Sequence, residues 1–207
     1  MSLKVLTMSD YAVTPWKNGG GITRDVFLFP EGATHESFDI RLSLAPIVTE
    51  GAFSSFPGID RHITRLSAAS LGLAFGTETR ELKRLEPLYF DSVLQPRSVL
   101  AEGPAQVLNV MTRRGRWNAQ VMPVVGATEP LLAVPDGGFV VLHAVSGTWQ
   151  VGDRVGSAIV RPGETLVSRE EATLRASSQR DGEAIVAFLS PTRRPEAKID
   201  FSNLGEQ

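Results

Sequence analysis

This chain carries 19 glycines and 13 prolines among 207 residues. Each is a poor fit inside a helix, glycine for its backbone entropy and proline for its missing N–H. Such frequent breaks favour short strands joined by turns over long helices. The segments between the breaks agree. Phe38-Asp39-Ile40-Arg41-Leu42-Ser43-Leu44 alternates apolar and polar residues with period two, as a half-buried strand does. Residues 22–29, 99–100, 107–111, 149–151, 158–160, 165–167, 173–176 and 184–189 read as further strands. Residues 139–145 are apolar apart from His143 and suit a strand buried on both faces. Only residues 67–73 and 77–85 read as helix. The pattern predicts an all-β chain of two β-barrel or sandwich halves, spanning 1–125 and 126–190, followed by a polar tail over 191–207.

One segment concentrates unusual chemistry: Pro15-Trp16-Lys17-Asn18-Gly19-Gly20-Gly21-Ile22-Thr23-Arg24. Three consecutive glycines mark backbone that bends sharply or approaches something closely. An aromatic, an ammonium and an amide precede them; a hydroxyl and a guanidinium follow. The run reads either as a tight turn before a strand or as the rim of a small-molecule site. Trp16 is placed to stack a planar ligand or to act as a core or lid aromatic.

The arginines sharpen the second reading. Strict alternation from Ile22 puts Arg24 on one face with Val26 and Leu28, where a guanidinium needs water at the strand end or a pocket. Arg41 shares a face with Asp39 and Ser43, either solvated or lining a polar lumen. Arg61 either forms a salt bridge with Asp60 or Asp39 or captures a carboxylate with its planar fork. Asn109, in an apolar strand, either ties backbone across a barrel or holds a ligand. The run Arg113-Arg114-Gly115-Arg116-Trp117 is too short, in a chain of net charge −2, to argue for nucleic acid. It fits an exposed loop or an anion contact at a barrel rim.

Four blocks carry a family resemblance: the glycine segment, Phe38-Asp39-Ile40-Arg41-Leu42-Ser43, Gly51-Ala52-Phe53-Ser54-Ser55-Phe56-Pro57-Gly58-Ile59-Asp60-Arg61, and Leu108-Asn109-Val110-Met111-Thr112-Arg113-Arg114. Their residues and order resemble the HutD/Ves family. Ile40 departs from the family pattern, which carries an aromatic there. The resemblance implies a bicupin and a link to histidine utilisation, as a restraint on the pathway through a small carboxylate ligand of the urocanate or formylglutamate class. On this reading Arg24, Arg41 or Arg61 clamps the carboxylate, with Arg113 at the rim. Asn18 and Asn109 read amide or imidazole groups. Gly20, Gly21 and Thr23 bring backbone N–H groups and a hydroxyl to the ligand.

Other functions find little support. There is no cysteine, which excludes thiolate catalysis and thiolate metal sites and favours a reducing cytoplasm. No apolar run reaches the roughly 20 residues of a membrane span. Walker and dinucleotide fingerprints and the Gly-x-Ser-x-Gly elbow are absent. His35, His62 and His143 are far apart, so a metal-free cupin is expected. The rival reading is a metal-independent isomerase or hydrolase using His62, Asp39 or Glu50 as acid–base groups. A third is an interaction module in a stress response. A homodimer is left open.

Overall fold

The computed structural model describes residues 3–15, 21–126, 129–169, 172–178 and 181–192. They form four antiparallel sheets. The first is six-stranded, in the order β2 (Ala12–Pro15), β3 (Ile22–Phe29), β4 (Ile40–Ile47), β10 (Ala105–Arg113), β5 (Ile59–Arg65), β8 (Pro87–Asp91). A three-stranded sheet, β7 (Glu78–Glu81), β6 (Leu71–Phe75), β9 (Arg97–Leu100), completes that half. The second half has a five-stranded sheet, β1 (Leu3–Leu6), β16 (Thr165–Ser168), β13 (Phe139–Ser146), β18 (Glu183–Pro191), β11 (Trp117–Val125). Its other sheet is β12 (Leu131–Ala133), β17 (Thr173–Ser178), β14 (Trp149–Gly152), β15 (Ser157–Val160). Both β1 and β11 therefore hydrogen-bond within the second half, β1 to β16 and β11 to β18.

The helical expectation for residues 67–73 and 77–85 fails. Residues 71–75 and 78–81 pair as a hairpin, β6 against β7. Leu71 and Leu73 are fully buried on alternate positions, which is a strand period, while all four β7 residues lie exposed at a sheet edge. Burial of two leucines outweighs the helix propensity of Glu78, Arg80 and Glu81. Among the described residues the one helical turn is a 3₁₀ segment, Ser92–Leu94, capped by Asp91.

Alternation along β4 and β10 sorts the core. Ile40, Leu42, Leu44, Leu108 and Val110 pack against Phe139, Val141, Ile185, Ala187 and Leu189 of the five-stranded sheet. The two large sheets thus meet back to back across an apolar seam. Trp117 closes it, with its ring centroid 5.3 Å from Phe29 and 5.7 Å from Phe139. The opposite faces look into the two barrels. The second barrel is filled by Trp149, Val140, Leu142, Leu174, Val186 and their neighbours. The first is filled at one end only, by Ile63, Leu71, Leu73, Phe90 and Val107 with Ala45 and Ile47. Its other end is polar and hollow.

Candidate functional site

The hollow is a cavity of about 880 Å³. Strand register sets its wall. Arg41 of β4, Met111 of β10 and Arg61 of β5 lie directly opposite one another in one row across three strands. The next row up holds Ser43, Asn109 and Ile63. Strands are about 4.8 Å apart, so the two arginine backbones stand about 10 Å apart with Met111 between them. The loop from Gly51 to Pro57 covers this wall and presents Phe53 and Phe56. Gly58, at φ +74°, makes the turn that returns this loop to β5 in a conformation other residues adopt only under strain.

Arg61 is 3% exposed. Its guanidinium is surrounded by the rings of Phe53, Phe56 and Phe90, each with its centroid 5.6 Å from Cζ. Nη2 donates to the Ser54 carbonyl at 3.2 Å, and Nε has no partner among the described residues. Neither anticipated salt bridge forms. Asp60 is taken by Arg114 and Tyr89, and Asp39 by Arg113 and Arg116. Burial, with the nearby positive charge of Arg41, pushes the Arg61 pKa down to about 9. The group stays cationic at neutral pH, but as a charge without a carboxylate.

Arg41 is treated differently. Its Nε donates to Asp25 Oδ1 at 2.7 Å, and Cζ lies 5.7 Å from the Phe56 centroid. Both arginines thus rest against one ring. Asp25, 4% exposed, also holds His35 Nε2 at 2.6 Å and accepts from Thr14 Oγ1 at 3.3 Å. Asn109 is 6% exposed, and its Oδ1 lacks a partner among the described residues.

Of the residues singled out in the sequence, the cavity brings together Thr23, Arg41, Arg61, Asn109 and Arg113. Arg113 stands at the rim, its Nε on Asp39 and its Nη2 on the Phe38 carbonyl. Gly21 is half-buried and does not line the cavity. Arg24 does not line it either. It sits opposite Leu44, on the face turned to the seam. The expected alternation holds for Arg24 and Val26 and fails at Leu28, because a bulge between Asp25 and Phe27 shifts the register. Val26 then packs in the seam while Leu28 lies with Phe38 on the other side. Trp16, Asn18 and Gly20 lie outside the described residues.

Asp25, His35, Phe53 and Phe56 were not foreseen as site residues. The signal for Asp25 was its two-residue spacing from Thr23, which puts both on one face; the other three come from loops with no period to read. Arg114 is fixed by Asp60 and Asp91, and Trp117 is buried in the seam. The basic run is therefore consumed by ion pairs and packing.

The histidines do not converge. His35 is on the cavity wall. His62 stacks on Tyr89 at 5.2 Å on the reverse face of β5. His143 is buried in β13, with Nδ1 2.9 Å from Thr165 Oγ1. Among the described residues no group of three or more His, Cys, Asp or Glu side chains is placed to hold a metal ion.

Comparison with known proteins decides the family, since the HutD family model matches residues 8–186. This chain belongs to the HutD family. A relative, Protein Ves from Citrobacter koseri, is 40% identical over 147 residues, covering 69% of this chain and 73% of that protein. The solved structure of HutD from Pseudomonas fluorescens SBW25 is 28% identical, with a TM-score of 0.76 over 92% of this chain and 99% of that one. A conserved protein of unknown function from Pseudomonas aeruginosa PAO1 shares the fold with a TM-score of 0.83 at 21% identity, over 92% of this chain and all of that one. A cupin 2 conserved barrel domain protein from Leptotrichia buccalis matches with a TM-score of 0.54 at 8% identity, over 89% of this chain and 95% of that one. The chain is thus a nearly all-β protein of cupin-like fold. Among its described residues no helix is long and apolar enough to cross a membrane.

Proposed function

We propose that this HutD-family chain binds a small carboxylic acid in its first barrel and acts as a ligand-responsive regulator of histidine utilisation in the cytoplasm, without turning the ligand over. One observation carries the reading. Arg61 is a buried cation with an unpartnered Nε, facing a cavity and lacking a carboxylate among the described residues. Burying a lone charge is costly. A carboxylate seated against it supplies both the missing charge and two acceptors for the planar fork. The unpartnered Asn109 Oδ1 offers an acceptor to a ligand N–H two residues along the wall. Urocanate and N-formylglutamate belong to the fitting class, and this binding needs no metal.

The acid–base groups of the enzymatic alternative are poorly placed. His62 faces away from the cavity, Asp39 is held by two arginines, and Glu50 accepts from the Leu100 backbone N–H at 2.9 Å. Titration calorimetry with trans-urocanate and N-formylglutamate tests the proposal. Saturable heat that Arg61→Ala abolishes supports it; the absence of heat with either acid sinks it. NMR on the same mixtures shows the ligand unchanged over hours if no turnover occurs.

A further inference from the structure

The charges around the cavity specify more than a carboxylate. Two guanidiniums, Arg41 and Arg61, are buried in its wall, and one carboxylate, Asp25, is buried behind it. Asp25 bonds Arg41 and His35 and has no bond to Arg61. One cation is therefore already answered and one is not. The rest of the lining disfavours extra negative charge. Phe53 and Phe56 line the cavity and turn their electron-rich faces to Arg61, with Phe90 behind it. Glu36 and Glu50 stand exposed along the edge of the cavity, and Arg113, at the rim, shares Asp39 with Arg116.

We infer that the cavity selects ligands with one negative charge, and that Asp25 sets this count by neutralising Arg41. This rests on the carboxylate site proposed above and narrows it. A single carboxylate satisfies Arg61. A second one entering the same cavity meets, among the described residues, no further buried cation without a carboxylate, only Arg113 at the rim, already paired with Asp39, and must shed its water beside Phe rings and acidic edges. Asp25 acts through Arg41 and is a positioning residue.

The test compares two ligands of one shape: N-formylglutamate, a dianion, and its γ-methyl ester, a monoanion, with trans-urocanate as a second monoanion. Calorimetry on the wild-type chain is expected to give at least tenfold tighter binding for the ester. In Asp25→Asn, where Arg41 loses its counter-charge, that preference is expected to shrink tenfold or reverse. Equal or tighter binding of the dianion by the wild type overturns the inference, and so does an unchanged ratio in a folded Asp25→Asn variant. If that variant does not fold, Arg41→Met removes the paired cation and leaves Asp25 without it. It is expected to weaken both ligands and keep or widen the preference for the ester, and a fallen ratio counts against the assignment. If none of the three acids binds the wild type, the carboxylate reading itself fails; if they bind without regard to charge, only this inference does.

Discussion

Arg41 and Arg61 occupy one row of the six-stranded sheet, on either side of Met111, with Phe56 lying against both guanidiniums. Their environments diverge within that row. One has a buried carboxylate at 2.7 Å; the other has a carbonyl at 3.2 Å and three aromatic rings. The difference separates a residue that stabilises the empty fold from one that strains it.

Arg61→Met follows from this. Replacing a buried, incompletely paired cation by an apolar side chain of similar length removes the cost of burying that charge. The variant is expected to melt at or above the wild-type temperature without ligand and to lose the upward shift that a carboxylate gives the wild type. A variant that melts well below the wild type would show that Arg61 holds the fold.

Asn109→Leu should behave alike on a smaller scale. The change removes a buried acceptor that has no partner among the described residues. Leaving such an atom unmatched costs about 1–3 kcal/mol. Unliganded stability is expected to hold or rise, and ligand affinity to fall about tenfold, the worth of one hydrogen bond to a polar group. Calorimetry beside thermal denaturation reads both.

His143 predicts a pH dependence unrelated to ligand. Burial pushes its pKa from 6.5 down to about 4. The folded chain keeps the imidazole neutral, whereas the unfolded chain protonates it below pH 6.5. More protons bind to the unfolded state between pH 6.5 and 4, so stability falls as pH drops through that window, by roughly 3 kcal/mol in total. Urea unfolding at pH 7, 5.5 and 4.5 should trace the loss, and His143→Gln should flatten it. Parallel slopes for the two proteins would rule His143 out as the cause.

Leu142→Ala supplies the converse case. Leu142 is fully buried in the filled second barrel. Truncation there is expected to cost about 2–5 kcal/mol. Affinity for a carboxylate should not change while the protein stays folded, because the residue contributes nothing to the first cavity.

The sequence made the β architecture legible because residues 38–44 alternate strictly and the structure keeps that alternation from Ile40 onward, sending Ile40, Leu42 and Leu44 to the seam and Arg41 and Ser43 to the cavity, while Phe38, ahead of the strand, turns to the cavity side. Arg61 and Asn109 were legible for a related reason: each is a polar side chain on a strand otherwise rich in buried apolar residues. Arg24 lies on the apolar face that alternation gives it, but that face is the seam and not the cavity, while one bulge after Asp25 turns Leu28 to the opposite side. Nothing local announces that bulge. The β6–β7 hairpin misled because Glu78 to Glu81 has helix-forming composition, and only its pairing with Leu71 to Phe75 makes it extended. The His35–Asp25 contact joins a loop to a strand, a meeting that tertiary folding creates and no spacing encodes.

The back-to-back seam carries one more consequence, through β1. Leu3–Leu6 pairs with Thr165–Ser168, with the whole first half lying between them in the chain. During synthesis β1 must wait until β16 emerges, so the sheet that β1 edges closes late. Neither half can be severed by a simple cut in the middle of the chain without stranding a piece of the other.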